Sequence, residues 1–176
     1  KIIFILIIIS LLITLLATKT YANIETDLKK ITIKLRCMTC QNQTIYDSDA
    51  DFSLDIKKIV GDKLQNGETE KEIIDFLIQS VEVLLHENYG DGFNNRAVKV
   101  LDPFAGTGTF LTRLLESGLI TDNLYEKYRN DLFANELILL AYYIATVNIE
   151  TTYSSLRKSG KYVPFDGMSY TDTLRM

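Results

Sequence analysis

The chain has 176 residues, 47% of them hydrophobic, with 19 Lys and Arg against 23 Asp and Glu and a formal net charge of −4. One His and two Cys leave too few nitrogen and sulfur ligands for a tetrahedral zinc site, which takes about four. The mild acidity and the scatter of basic residues give no positive stripe of the kind that duplex DNA attracts, so DNA is not expected as a partner.

The sequence opens on Lys1 rather than Met, so its natural start is expected upstream. An apolar run from Ile2 to Leu16 comes next, broken only by Ser10 and Thr14, and leads to Thr20-Tyr21-Ala22. A basic start, a short apolar core and a small-x-small end describe a secretory signal peptide. The run is short of the roughly 20 residues of a spanning helix, and an uncleaved membrane anchor is the alternative. Either sends the remainder of the chain to an oxidising compartment.

Ile24, Leu28, Ile31 and Leu35 recur at helical spacing and give a first amphipathic helix. It ends on Leu35-Arg36-Cys37-Met38-Thr39-Cys40-Gln41-Asn42-Gln43, which holds both cysteines of the chain. A C-x-x-C pair can cycle between dithiol and disulfide, lend two ligands to a metal, or stay inert. Redox cycling is favoured, because the thiolate is the nucleophile and a thiol three residues away can resolve a mixed disulfide. Beyond the pair only His86 remains as a further nitrogen or sulfur ligand, and no metal is expected. Asp47, Asp49 and Asp51 have a calcium-loop spacing but lack its glycine and terminal Glu, so this tract reads as a solvated helix start.

Ser48 and Asp51 suggest a capping box for a second helix, with Phe52, Ile56, Ile59, Val60 and Leu64 as its stripe and Asn66-Gly67 as its stop. Thr69 and Glu72 form another box. They open a third helix carrying Ile73, Ile74, Leu77, Val81, Leu84 and Leu85. Three such helices with short links predict a three-helix bundle with the C-x-x-C in its first connection.

The nine-residue string around the cysteines resembles the signature of the CcmH-type cytochrome c maturation proteins, and the resemblance runs from about Ile24 to Leu77. It implies a periplasmic, membrane-anchored thiol oxidoreductase that acts on the C-x-x-C-H segment of apocytochrome c before haem is attached. Cys37 and Cys40 would then carry the chemistry without a cofactor. Arg36 would be either a thiolate stabiliser or an ordinary solvated charge. Implied partners are apocytochrome c, other cytochrome c maturation components, a thiol–disulfide relay donor, and the membrane through the amino-terminal segment.

After Ile78 the chain departs from that pattern. Ala97 to Leu101 reads as a short apolar strand. It is followed by Asp102-Pro103-Phe104-Ala105-Gly106-Thr107-Gly108-Thr109-Phe110 and a helical run from Leu111 to Ser117. Strand, acid, glycine turn and helix make the first unit of a doubly wound sheet, in which glycine lets the backbone approach a ligand. A second strand is expected near Asp131 to Asn135, with a helix from Leu137 to Ala145. Tyr142 and Tyr143 read as packing aromatics within that helix.

The D-P-F-A-G-T-G-T-F segment resembles motif I of S-adenosylmethionine-dependent DNA adenine methyltransferases, and the wider match, from about Gln79 to Met176, resembles single-chain restriction–modification enzymes. On this resemblance Asp102, Phe104, Ala105, Gly106 and Gly108 line the methionine side of the cofactor, and Glu136 accepts from the ribose hydroxyls. The plainer reading of Glu136 is a helix cap. The D/N-P-P-Y/F segment that holds the extruded base in that family is missing, since the two prolines, Pro103 and Pro164, are far apart. Binding of S-adenosylmethionine is therefore expected to be weak, without methyl transfer.

The whole reads as a fusion of three parts. These are a signal or anchor segment (1–22), a CcmH-like helical thiol-redox domain (23–78), and a truncated methyltransferase-like segment with an incomplete doubly wound, Rossmann-like α/β fold (79–176). The expected function is periplasmic thiol–disulfide exchange. The alternatives are a cytoplasmic S-adenosylmethionine-binding fragment and a non-functional remnant.

Overall fold

The structure is a computed structural model, and it describes residues 23–33, 35, 43–157 and 160–175. Within it the chain divides into two compact units, the division falling between Ile73 and Ile74. Among the described residues no helix is long and apolar enough to cross a membrane. The segment 1–22, expected to be a signal or anchor, lies outside the described residues, as do Arg36, Cys37, Cys40, Gln41 and Asn42.

The first unit is helical. Its helix α1, described over 23–32, is followed by α2 (Asp51–Gln65) and the first turn of α3 (Glu70–Tyr89). Ile31, Val60, Leu64 and Ile73 form its buried core, with Ile24, Leu28, Leu35 and Ile56 packed around them. These are the expected stripe positions, except that Phe52 and Ile59 stay exposed. The capping box at Thr69 is formed, because Thr69 N donates to Glu72 Oε2 (2.7 Å) and Glu72 N donates to Thr69 Oγ1 (3.3 Å). The one expected at Ser48 is not. The residue before α2 is Ala50, which caps nothing with its side chain, and Ser48 Oγ instead accepts from Ala50 N at 3.2 Å. Ser48 lies two residues too early to reach the first turn. Asn66 and Gly67, the latter at φ +83°, end α2 as the sequence indicates.

The second unit is built on three short parallel strands in the order β1 (Val100–Asp102), β2 (Leu132–Glu136), β3 (Met168–Tyr170). Val100 pairs with Leu132, and Ala134 with Met168. Between the strands run α4 (Thr109–Glu116), α5 (Leu124–Asn130) and α6 (Leu139–Arg157). β2 lies within one residue of where the apolar run places it, whereas β1 begins three residues later than the apolar run Ala97 to Leu101 and ends one residue beyond it. A helical amino-terminal region and an open parallel-sheet α/β region are thus both present.

Alternation along the strands puts Leu132, Ala134 and Met168 on one face and Leu101, Phe133 and Ser169 on the other. The first face is buried under Leu111, Leu114 and Leu115 of α4 and Ala145, Ile149 and Tyr153 of α6, with Ile74 and Ile78 of α3 in the same core. The spacing of the α4 leucines gives one apolar stripe for that contact. Tyr128 stacks on Tyr153 at 3.6 Å between ring centres. Val81 and Leu84 of α3, expected on its apolar side, are exposed.

The entry to β1 is tied by a buried ionic group that the hydrophobic pattern does not reveal. Lys127 is buried and its Nζ donates to Val98 O. Asp131, also buried, accepts from Arg96 Nε at 3.1 Å and pairs with Lys99 at 3.7 Å.

Candidate functional site

Parallel strands gather their loops at the carboxyl end of the sheet, where open α/β folds bind ligands. Here β1 delivers Asp102 and the turn 103–108, and β2 delivers Asn135 and Glu136. Ala105 N donates to Asn135 O at 2.9 Å, and Gly106 N donates to Glu136 Oε2 at 2.8 Å, so the glycine turn is held directly against the end of β2. Glu136 Oε1 accepts from Ile138 N at 2.7 Å. The carboxylate therefore caps the approach to α6 with one oxygen and reaches the turn with the other. Each oxygen retains a lone pair for a ligand hydroxyl.

Asp102 accepts from Phe104 N at 3.2 Å. Its carboxyl is held above the ordinary aspartate range, first by loss of solvent, against the opposing pull of the Phe104 N–H, and then by the nearby Glu136 carboxylate. Phe104 is half-buried and Ala105 is buried. Gly106 (φ +56°) has open space where a Cβ would stand. Gly108 (φ +80°) is buried, and a Cβ there would lie 3.2 Å from Ala145 Cα and from Ile149 Cγ1. Of the two glycines, the first has open space beside it and the second lets α4 approach α6. Of the residues named from sequence on this side, Asp102, Ala105, Gly106 and Glu136 are brought together at the carboxyl ends of β1 and β2, with Phe104 next to Asp102 through its N–H.

Three anchors of this turn have no signal in the sequence. Thr173 Oγ1 donates to Pro103 O (2.7 Å) and accepts from Asn135 Nδ2 (3.2 Å), while Asn148 Nδ2 donates to Thr107 O (3.0 Å). These contacts span up to 70 residues of sequence, a range that no local pattern encodes. Tyr142 packs as expected, whereas Tyr143 is exposed. Cavities of about 520 Å³, beside Glu82, His86 and Arg96, and about 880 Å³, along Ile24, Lys30 and Leu64, are lined by other residues. Among the described residues no group of three or more His, Cys, Asp or Glu is arranged to hold a metal ion.

In the first unit, Cys37 and Cys40 lie outside the described residues, but the ends of the segment that carries them are visible. Ile45 N donates to Leu35 O at 2.8 Å and Tyr46 N donates to Thr32 O at 3.2 Å. Ile45 is buried, and Thr44 Oγ1 donates to Asp47 Oδ2 at 2.6 Å to stiffen the return. The chain that leaves α1 is thereby brought back onto it.

The CcmH family model, described as a cytochrome C biogenesis protein, matches residues 2–86. The cytochrome c-type biogenesis protein CcmH of Bradyrhizobium diazoefficiens is 39% identical over 54 residues, 31% of this chain and 34% of that protein. CcmH of Pseudomonas aeruginosa is 40% identical over 50 residues, 28% of this chain and 32% of that protein. Among solved structures, the DrdV–DNA complex aligns with TM-score 0.55 and 42% identity, covering 61% of this chain and 10% of that one. The ATP-dependent Type ISP restriction–modification enzyme LlaBIII bound to DNA aligns with TM-score 0.54 and 39% identity, covering 58% and 7%. The chain thus spans about a third of the curated relatives and about a tenth or less of these structures.

These matches correct the expectation that DNA can be set aside as a partner, because the same fold at this identity occurs in proteins solved in complex with DNA. The charge of a segment that makes up a tenth of such a protein says nothing about the charge of the remainder. The chain thus has an amino-terminal part similar to the CcmH family and a carboxyl-terminal part that structurally resembles a portion of restriction–modification enzymes.

Proposed function

We propose that the amino-terminal part performs thiol–disulfide exchange through Cys37 and Cys40 in the periplasm, on the C-x-x-C-H segment of apocytochrome c. The observation that carries this reading is the CcmH match over residues 2–86, which encloses the whole cysteine motif. The hydrogen bonds that return Ile45 and Tyr46 to α1 support it by giving the motif a fixed base. One cysteine thiolate attacks a disulfide sulfur of the substrate and forms a mixed disulfide, releasing the substrate's other sulfur as thiolate. The second cysteine thiolate then attacks the protein sulfur of that bond. The substrate leaves as a dithiol, having taken up two electrons, and the protein is left as the disulfide. A dithiol relay donor resets it.

Cys37→Ser and Cys40→Ser, each incubated with an oxidised C-x-x-C-H peptide, test this. One variant is expected to accumulate a covalent adduct that dithiothreitol releases. Absence of an adduct with both variants, together with no peptide reduction by the parent protein, would refute the proposal. Fractionation adds a second check: a periplasmic product agrees with it, and a wholly cytoplasmic one opposes it.

A second reading concerns the carboxyl-terminal part, favoured by the Gly106–Glu136 bond at 2.8 Å. This part is a fused methyltransferase-type segment that binds S-adenosylmethionine weakly. The donor set fits: Glu136 keeps acceptor capacity for a diol, Gly106 leaves room for close approach, and Asp102 places a carboxyl beside them. When bound, such a cofactor supplies a transferable methyl group. The residues described here would contribute to holding it. Calorimetry should give weak binding that Glu136→Ala abolishes. Affinity unchanged by that substitution would contradict the assignment.

A further inference from the structure

The glycine turn after β1 is held by partners from several elements. Ala105 and Gly106 are bonded to the end of β2, and Thr107 O accepts from Asn148 on α6. The first half of the turn is held differently. Pro103 has no N–H, so its carbonyl is its one main-chain hydrogen-bonding group, and Phe104 N donates to Asp102 within the turn itself. The bond that fixes Pro103 comes from Thr173, 70 residues further on, whose hydroxyl donates to Pro103 O at 2.7 Å.

Thr173 is brought there by the strand before it. Thr171 N donates to Glu136 O at 3.1 Å and carries the β2–β3 pairing past the last residue of β3. Asp172 Oδ1 then accepts from Leu174 N at 3.0 Å and fixes the 3-10 turn Thr173–Arg175. The Thr173 hydroxyl also accepts from Asn135 Nδ2 at 3.2 Å, and Asn135 is buried. One oxygen thus donates towards the end of β1 and accepts from β2 while standing on the chain that leaves β3. A hydroxyl carries both roles in one atom, whereas a methyl of the same shape carries neither.

A turn held in place before a ligand arrives need not be ordered by that ligand, and the affinity gains what the ordering would have cost. We propose that Thr173 is a positioning residue: acting through Pro103 and Asn135 rather than on the ligand, it holds the turn 103–108 in the form that presents Gly106 beside Glu136. The inference rests on the reading of this part as S-adenosylmethionine-binding, and adds to it a residue outside the glycine motif that sets the affinity.

The test is a titration of the isotope-labelled full-length protein with S-adenosylmethionine, followed by NMR, with amide exchange recorded at Ala105 and Gly106. Thr173→Val keeps the shape and removes both bonds. It is expected to weaken binding by roughly tenfold and to speed exchange of those two amides, and saturating ligand should restore their protection. Thr173→Ser keeps the hydroxyl and should return both readouts to near the parent values. Tyr128→Phe controls for lost stability, because it removes the bond from Tyr128 Oη to Val163 O (3.0 Å), in the segment ahead of β3. It should lower the melting temperature and leave affinity and exchange unchanged. A Thr173→Val protein that melts lower but binds like the parent would overturn the proposal and leave the binding reading standing. So would a loss of affinity that serine fails to rescue. A parent protein that binds no S-adenosylmethionine would overturn the reading itself, and the proposal with it.

Discussion

Gly106 and Gly108 have similar left-handed backbones but different surroundings, and substitution should separate them. Alanine at 106 meets open space and suffers only the strain of a positive φ, about 1–2 kcal/mol. Alanine at 108 adds a contact at 3.2 Å with the backbone of α6 to the same strain. Overpacking of this kind costs about 1–3 kcal/mol more. Denaturant titration of the two variants should therefore rank Gly108→Ala as the less stable. In the sequence both glycines belong to one motif, and only the packing of α6 distinguishes them.

Asp102 gives a pH dependence of defined sign. Its carboxyl binds a proton more readily in the folded protein than at the ordinary value of 3.8, because it is desolvated and faces Glu136. The folded state therefore holds more protons than the unfolded state between 3.8 and the raised value. In that interval this residue makes stability fall as pH rises, and above it the loss is constant. Asp102→Asn, which can still accept from Phe104 N, should be more stable than the parent at neutral pH. The advantage should disappear towards pH 3, as followed by urea midpoints. A variant less stable than the parent at both pH values would contradict this account.

At the scale of elements, α4 is held to α3 by one ion pair. Arg113 donates through Nε and Nη2 to Asp75 Oδ1 (3.0 and 2.7 Å) and through Nη2 to Oδ2 (2.7 Å), while Nη1 reaches Glu116. The Arg113 side chain is only 16% exposed and that of Asp75 is 37% exposed. The pair thus falls between the negligible surface case and the buried one. Arg113→Ala should cost about 1–2 kcal/mol. Asp75→Asn should cost less, because it keeps an acceptor, and a double-mutant cycle would measure the coupling.

Helices α1 to α4 were legible from apolar spacing, and so was the Thr69 capping box, whereas α5 and the continuation of α6 from Ala145 to Arg157 were not. What stayed hidden was the side-chain tie between helices 38 residues apart and the register of the strands, since three-residue strands carry too little alternation to fix either.

At the scale of the whole molecule, composition and net charge average over two parts of different character and describe neither. The two similarities are carried by different parts of the chain, the CcmH match by residues 2–86 and the restriction–modification resemblance by the carboxyl-terminal part. The DNA expectation failed because it applied a whole-domain charge rule to a stretch that corresponds to a tenth or less of the matched DNA-bound proteins. The separate buried cores, Ile31–Val60–Leu64–Ile73 on one side and the sixteen residues around Leu111 and Ile149 on the other, could be assigned only from coordinates. In the sequence, Ile73 and Ile74 are neighbours on one helix.

The hydrogen bonds from Ile45 N to Leu35 O and from Tyr46 N to Thr32 O also carry a thermodynamic consequence. Bringing the two ends of the cysteine-bearing segment together costs chain entropy, and folding meets that cost before any sulfur reacts. A cross-link between Cys37 and Cys40 would close a short ring inside a loop already closed at its base. It would remove little further freedom from the unfolded chain. Folding and oxidation should then be nearly unlinked: the oxidised and dithiothreitol-reduced proteins should melt within a few degrees of each other. A large difference in melting temperature would show that the helical core senses the state of the thiols. With no such difference, the thiol–disulfide cycle proposed for this unit would proceed without unfolding its helical core.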